Sequence, residues 1–568
     1  MHDLLIINGT VVDGTGGRQR RSDVAVTGGI ITEIGDLAGQ ATRRTIDADG
    51  HMVSPGFVDV HTHMDAQIAW DPRGECSCFH GVTTAVMGNC GFTLAPVRSD
   101  ARELVVRNLE RAEDISADAM AAGIDWSWET FPEYLDFVDA TPKGINYAGY
   151  VGHSALRTWA MGERAFAEAA NDDDIALMAE HVRASMDAGA VGFTTSISAN
   201  HETSDDRPVA SRFASRHEID ALVAAMASVG VGGIFELAQH PDMRSRDSAT
   251  RDDYAQWLVD LAVTTGAPIT WGMLAFGTDD HLWRPVVELI DRITNAGGTA
   301  WGQAHTRHFG ALLSFQTRLP FDALPVWSDL RSQSLDEQRR ALQDPTLRAR
   351  LVTEADNGDY GRAIGAEARK PEWRYVFPVT AGLPPYDTIE ALAAERGRSP
   401  MATFLDLAIE SNLELFFMQA AANHDQDRVL EFLRHPRAIP TFSDSGAHVT
   451  QIMDSSLQTH LLGHWVRNEQ ALTIEEAVHR ITQLPAVAWG FVDRGVLAPG
   501  MAADINVFDL TTISPNLPEL VSDLPGGASR LRQTATGIKA TLVNGEVLVA
   551  DAEPTGATPG VLLRRGRA

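Results

Sequence analysis

His61 and His63 stand two residues apart at the end of an apolar run, Phe57-Val58-Asp59-Val60, with Asp65 just behind them. On an extended backbone residues i and i+2 point to the same side. Two imidazoles therefore aim at one point, as metal ligation requires. A second apolar run, residues 83–87, leads into Gly88-Asn89-Cys90-Gly91, where a thiolate can reach the same place. A lone pair of nearby histidines is a weak signal and is more often incidental than not. The strand end, the nearby acid and the following Gly81-Val82-Thr83-Thr84 favour a metal site. Mixed nitrogen and sulfur donors suit zinc better than magnesium or calcium. Far downstream, Asp444 follows the apolar run 438–442 in Ser443-Asp444-Ser445-Gly446-Ala447-His448. Taken alone, it reads as a turn aspartate capping the next helix. Alongside His61, His63 and Cys90, it is also the carboxylate a metal-dependent hydrolase needs, as ligand and as the group that takes a proton from water and returns it to a leaving amine.

These side chains need elements to position them. Residues 56–61 read as a short buried strand, because Phe57, Val58 and Val60 are apolar and β-prone. From there, short apolar strands alternate with helical stretches, the pattern of a parallel α/β sheet or barrel. Candidate strands end near His61, Met87, Gly152, Thr195, Glu236, Met273, Gln303 and Asp444. That is the number a (β/α)8 TIM-like barrel needs, and catalytic groups belong at the C-terminal ends of its strands. Helices are expected at 172–188, 216–229, 251–265 and 283–296; Asn171 before three aspartates reads as a capped helix start. Residues 1–54 instead read as hairpins punctuated by Asn8-Gly9 and Gly28-Gly29, and a similar pattern returns at 504–509 and 537–549. Segments 1–54 and 490–550 are therefore expected to form one composite β-domain around a body at 55–489, with 551–568 as a C-terminal tail. An insertion at about 307–400 is longer than a barrel connection needs. It holds a charged helix near 335–352 and an aromatic run at 371–386. It is read as a lid that shapes the pocket or as a plain structural elaboration.

Composition bounds the function. With 568 residues the chain has room for more than one domain. A formal net charge of -29 argues against nucleic acid or anionic membrane as a partner, since phosphate binding needs clustered Lys and Arg. Three cysteines, Cys76, Cys78 and Cys90, make no disulfide framework and fit a reducing, cytoplasmic setting. No apolar stretch approaches the ~20 residues of a membrane span. A homo-oligomer is compatible with all of this.

The blocks Pro55-Gly56-Phe57-Val58-Asp59-Val60-His61-Thr62-His63 and Gly81-Val82-Thr83-Thr84-Ala85-Val86-Met87-Gly88-Asn89-Cys90-Gly91 resemble the amidohydrolase superfamily, and within it the D-aminoacylase (N-acyl-D-amino-acid deacylase) branch. The resemblance continues through residues 151–157, 189–196, 443–448 and 493–504. It implies a metal-bearing (β/α)8 barrel beside a small β-sandwich, with Cys90 as a metal ligand and the insertion over the active site. The implied reaction is hydrolysis of a non-peptide C–N bond in an N-acyl (D-)amino acid or similar small amide, by a metal-activated water with Asp444 as general acid/base. The chain departs from the branch where metal-binding histidines should end the fifth and sixth strands: Ile234-Phe235-Glu236-Leu237 and Ile269-Thr270-Trp271-Gly272-Met273 hold none. Glu236 stands near the missing strand-5 ligand, and carboxylate is a legitimate zinc ligand. His240 and His305 are further options, though surface or supporting roles suit them better. One zinc ion, rather than two divalent ions, is the favoured centre. His153, at a strand end, is read as orienting substrate or as structural; Arg307 and Arg157 as partners of a substrate carboxylate or as structural ion pairs. Trp271, Trp301, Trp327 and Trp373 suggest an aromatic pocket. The rivals are a hydrolase of a cyclic amide, carbamate or xenobiotic amide, and a degenerate barrel that binds a ligand without turnover.

Overall fold

Short apolar runs buried on both faces pair in parallel beneath a layer of helices. The computed structural model describes residues 1–230, 232–277, 279–362 and 367–566, and the chain is an α/β protein. The central strands are β1 (Phe57–Thr62), β2 (Val82–Met87), β3 (Asn146–Gly149), β4 (Gly192–Thr195), β5 (Ile234–Leu237), β6 (Ile269–Met273), β7 (Ala300–Ala304) and β8 (Ala438–Pro440). β1, β2 and β3 pair in parallel, with Val58 and Asn146 flanking Thr84. A second parallel sheet runs in the order Val151–Gly152, β4, β5, β6, β7, β8. Only Tyr150 separates β3 from that sheet, and its N–H donates to the Met87 carbonyl at 3.0 Å. At the far edge Thr62 bridges Ser445 in parallel, and the Val60 N–H donates to the Thr441 hydroxyl at 2.9 Å.

The helices over these strands start and stop at sequence signals. In Asp172–Ala188 the Asn171 side chain accepts from the Asp174 N–H while Asp174 reaches back, and Gly189 closes the helix at φ 108°. Arg216–Ser228, Ser248–Thr265 and Arg284–Asn295 follow. Their inward residues Leu222, Leu258 and Ile290 join Phe193, Phe235 and Met273 in one core, each fully buried side chain contributing about 1.5–3 kcal/mol. β8 ends four residues short of Asp444, because Phe442 and Asp444 take left-handed φ of 81° and 49° that no ladder accommodates.

Strands from both ends of the chain share a seven-stranded sheet, in which Ile505–Phe508 lies between Met52–Pro55 and Ile538–Val543. A four-stranded sheet, Ile30–Gly35, Asp23–Thr27, His2–Ile7 and Thr42–Asp47, packs Leu4, Val24 and Ile31 into a core with Val53, Ile505 and Leu542 of the larger one. Beyond residue 550, Glu553–Pro554 extends the larger sheet, Leu562 bridges Tyr147, and the Arg565 N–H donates to the Gly189 carbonyl at 3.0 Å.

The long insertion has its own antiparallel sheet, Phe309–Leu313, Phe417–Ala422 and Val376–Pro378, so it reaches past residue 400. The helix expected near 335–352 is two, Leu335–Ala341 and Pro345–Asn357, because Asp344 caps the second and Pro345 opens it. Trp327 packs on Phe321 at 4.5 Å and Trp373 stacks on the same ring. Both tryptophans therefore serve the insertion's own core, and the expectation that they line a pocket is corrected.

Candidate metal centre and active site

β1 delivers His61 and His63 to one side, as its period of two requires. After β2 the chain turns through left-handed Gly88 and Cys90, at φ 89° and 55°, which carries the thiol over the end of β1. A Cβ at Gly88 would lie 2.8 Å from the Tyr150 carbonyl, so only glycine makes this turn. The ligand atoms of His61, His63 and Cys90 lie within 4.8 Å of one another. Asp444 Oδ1 joins them, 3.1 Å from His61 Nε2 and 3.5 Å from His63 Nε2. His61 Nδ1 is 2.5 Å from Gln303 Oε1 at the end of β7. With Nδ1 engaged there, His61 would offer Nε2 to a cation at the point shared with the Asp444 oxygen and, at 3.6 Å, the Cys90 sulfur.

Three carboxylates crowd this point: Asp444, Glu236 and Glu113, all buried. Glu236 Oε2 accepts the Cys90 N–H at 2.8 Å. Glu113 Oε2 lies 3.7 Å from His63 Nε2 and 3.6 Å from His448 Nε2. Among the described residues no Lys or Arg pairs with any of the three. Burial pushes Glu236 up to about 7 and His63 down to about 4. Burial, then the charges of Asp444, Asp65 and Glu236, push Glu113 well above the carboxylate range. Burial also opposes ionisation of Asp444, but the His61 and His63 imidazoles beside it outweigh burial and hold that carboxyl well below its ordinary value. Asp65 is buried without a charged partner and is pushed up to about 8 by desolvation. Asp444 Oδ1, Glu113 Oε2 and His63 Nδ1 have no hydrogen-bond partner. Converging lone pairs, buried acids without a counter-ion and a mixed N, S and O donor set fit a divalent cation, and zinc in particular.

The cluster floors a cavity of about 570 Å³, within the usual range for a small-molecule site. Phe276, Phe309 and Phe442 supply apolar wall, and Arg318, Glu367 and Arg369 reach in from the insertion. Of the guanidinium groups that line it, Arg111 pairs with Asp206, Arg318 with Asp114 and Arg362 with Glu202. Arg244 and Arg369 have no carboxylate within 4.0 Å among the described residues. Burial and the neighbouring Arg369 depress the Arg244 guanidinium, which also lies over the Phe276 ring at 3.9 Å. Two like charges held together on a cavity wall form a receptor for an anion.

Residues 44–549 match the profile described as Amidohydrolase family. The chain belongs to the amidohydrolase family. It is 28% identical to a D-aminoacylase of Alcaligenes xylosoxydans xylosoxydans over 99% of this chain and 98% of that one. It is 27% identical to an N-acyl-D-glutamate deacylase of the same organism, over 99% and 96%. Among solved structures, an N-acyl-D-glutamate deacylase from Bordetella bronchiseptica, complexed with zinc and a phosphonate mimic of the tetrahedral intermediate, superposes with a TM-score of 0.65 at 25% identity and 99% coverage of both chains.

Several residues expected at this amidohydrolase's site lie elsewhere. His153 is sealed in the core, with Nε2 2.9 Å from Glu218 and Nδ1 2.7 Å from Thr195, so it does not face the cavity. Arg157 is bound to the same Glu218 at 2.5 Å. Arg307 is taken by Asp454 at 2.9 Å through Nε and points away from the cluster. Trp271 is fully buried and donates its indole N–H to the Val286 carbonyl at 3.2 Å, on the helix side of β6. Trp301, half-buried, lies under the Arg437 guanidinium at 5.0 Å. His240 stacks on Tyr254 at 4.7 Å, and His305 Nε2 faces Asp454 at 3.0 Å. Neither histidine replaces a ligand. Glu236 stays at the site, bonded to the Cys90 backbone. At the end of β6 a Cβ on Gly272 would meet the Phe442 ring at 2.7 Å. Phe442, 4.4 Å from the His61 ring, fills the space where a sixth-strand ligand would stand. Glu113, Arg244 and Gln303 were missed as site residues. Gln303 alone carried a signal, its place at a strand end.

Proposed function

We propose that this amidohydrolase deacylates N-acyl-D-amino acids, hydrolysing a linear amide bond with one zinc ion and with Asp444 as general acid/base. One observation carries the reading: a single cavity has the His61, His63, Cys90 and Asp444 cluster as its floor and two guanidinium groups without carboxylate partners, Arg244 and Arg369, on its wall. Those four side chains would hold a divalent ion, which when bound would supply Lewis acidity and lower the pKa of a water. Asp444 takes the water's proton and returns it to the leaving nitrogen. Gln303 fixes the His61 ring and Glu236 fixes Cys90. Arg244 and Arg369 hold the substrate α-carboxylate, and the Phe276 and Phe309 rings take the acyl chain. The D-stereochemistry follows the named activities of the relatives, and one ion rather than two follows from Phe442 at the end of β6.

The architecture belongs to the same reading. The two parallel sheets are two arcs of one (β/α)8 barrel, a view supported by the single-residue join at Tyr150 and the Thr62–Ser445 bridge. The sheets built from both termini form a composite β-sandwich, supported by their common core. No described helix is long and apolar enough to cross a membrane. The three cysteines are buried and unpaired, which suits a reducing cytoplasm.

The test is a substrate panel on zinc-loaded protein: N-acetyl-D-amino acids, their L-enantiomers, and cyclic amides such as hydantoins. Release of free D-amino acid is expected. Ring opening of the cyclic amides alone, or ligand binding with no turnover on the whole panel, overturns the reading.

A further inference from the structure

We infer that Glu113 is a ligand of the metal ion, the oxygen donor with which this chain completes a centre that Phe442 closes off at β6. The inference rests on the presence of a metal site but not on the identity of the substrate. Glu113 follows the helix Arg102–Glu110 and is tied to it by its N–H, which donates to the Leu109 carbonyl at 2.9 Å. Its side chain is 1% exposed, yet Oε2 has no hydrogen-bond partner. The nearest polar atoms, His448 Nε2 at 3.6 Å and His63 Nε2 at 3.7 Å, are too far for hydrogen bonds.

The His63 distance instead suits two ligands of a common ion. Metal–ligand bonds of about 2.0–2.2 Å set adjacent donor atoms of one ion roughly 3–3.6 Å apart. The same spacing recurs along the set, with 3.5 Å from His63 Nε2 to Asp444 Oδ1 and 3.1 Å from His61 Nε2 to Asp444 Oδ1. Glu236 is different in kind, since its Oε2 is already engaged by the Cys90 N–H; it is a positioning residue. Glu113 is also anchored to the turn that bears Asp444, because the His448 N–H donates to its carbonyl at 2.5 Å. One turn thus sets both oxygen donors, and among the described residues neither is paired with a Lys or Arg.

The test reads metal rather than turnover, so its failure is separate from failure of the substrate reading. Zinc affinity by chelator competition, the visible spectrum of the cobalt-loaded protein and the melting temperature with and without metal are compared for wild type, Glu113→Gln and Glu113→His. Glu113→Gln is expected to weaken zinc binding by more than about a hundredfold, exceeding the roughly 10–100-fold typical of groups that only support a ligand. Glu113→His restores a donor, so it should bind zinc within about tenfold of wild type with an altered cobalt spectrum. Zinc affinity within about threefold of wild type in Glu113→Gln, with an unchanged cobalt spectrum, overturns the inference. If Glu113→Gln does not fold, Glu113→His decides: an unchanged cobalt spectrum overturns it, and an altered one with tight binding sustains it.

Discussion

Two buried histidine–carboxylate clusters resolve their charge in opposite ways. In one, His153, Glu218 and Arg157 are all fully buried, and Glu218 is bonded to both the imidazole and the guanidinium. Burial would raise the Glu218 carboxyl, but hydrogen bonds and charge from His153 and Arg157 overcome it and hold it at about 2. Only Arg157 Nε lacks a partner there. In the other, His61, His63, Asp444, Glu113 and Glu236 converge with no guanidinium or ammonium partner among the described residues, and several of their polar atoms are unsatisfied. Burial does not separate the two. What separates them is where the counter-charge comes from: the first cluster carries its own, and the second is built to receive one.

The largest expected effect breaks the second cluster. Asp444→Asn keeps shape and one acceptor but cannot take and return a proton near neutral pH. Turnover per bound zinc should fall by about a hundredfold to ten-thousandfold, with thermal unfolding near wild type. A loss smaller than about tenfold would place the base at Glu236 or His448. Next, Arg157→Met should cost about 3–5 kcal/mol of stability by leaving Glu218 without its guanidinium. Urea denaturation measures this, while KM of the folded fraction stays unchanged; a shifted KM would make the first cluster part of the binding site. Third, acid should act on the first cluster with a definite sign. The folded Glu218 pKa of about 2 lies below its ordinary 4.5, so its stabilisation is complete above about pH 4.5 and is lost as the pH falls towards 2. The difference is worth about 3 kcal/mol, and Glu218→Gln should flatten that part of the stability–pH curve. The smallest effect sharpens the contrast at the cavity wall. Arg244→Gln should raise KM for an N-acyl amino acid about tenfold, roughly 1.4 kcal/mol, and leave the KM of its methyl ester unchanged.

What was legible in the sequence was what local periodicity encodes. The spacing of His61 and His63, the glycine turn before Cys90 and the helix caps each depend on a few adjacent residues. Facing is decided by one position. Trp271 and Gly272 are neighbours at the end of β6, so one must face the helices and the other the cavity, and the sequence does not say which. The sequence left Arg307 between a substrate partner and a structural ion pair, because Asp454, the carboxylate that takes it, is 147 residues away. Glu113 sits in the charged run Arg111-Ala112-Glu113-Asp114, which reads as solvated surface; only the packing of the turn around His448 buries it. The β6 departure was visible, but that an aromatic ring from beyond β8 fills the gap was not.

The position of Ile505–Phe508 in the terminal sheet sets a timetable for biosynthesis. Its neighbour Met52–Pro55 leaves the ribosome about 450 residues earlier. At about 5–20 residues per second, the early strands wait tens of seconds before their central partner exists. Through that interval the apolar faces of Val11, Val24 and Val53 have no C-terminal strands to cover them, and the unpaired edge of Met52–Pro55 is a template for wrong pairing. A nascent chain would need a holding chaperone over its first 55 residues, whereas a full-length chain diluted from denaturant has every strand of the sheet present from the start.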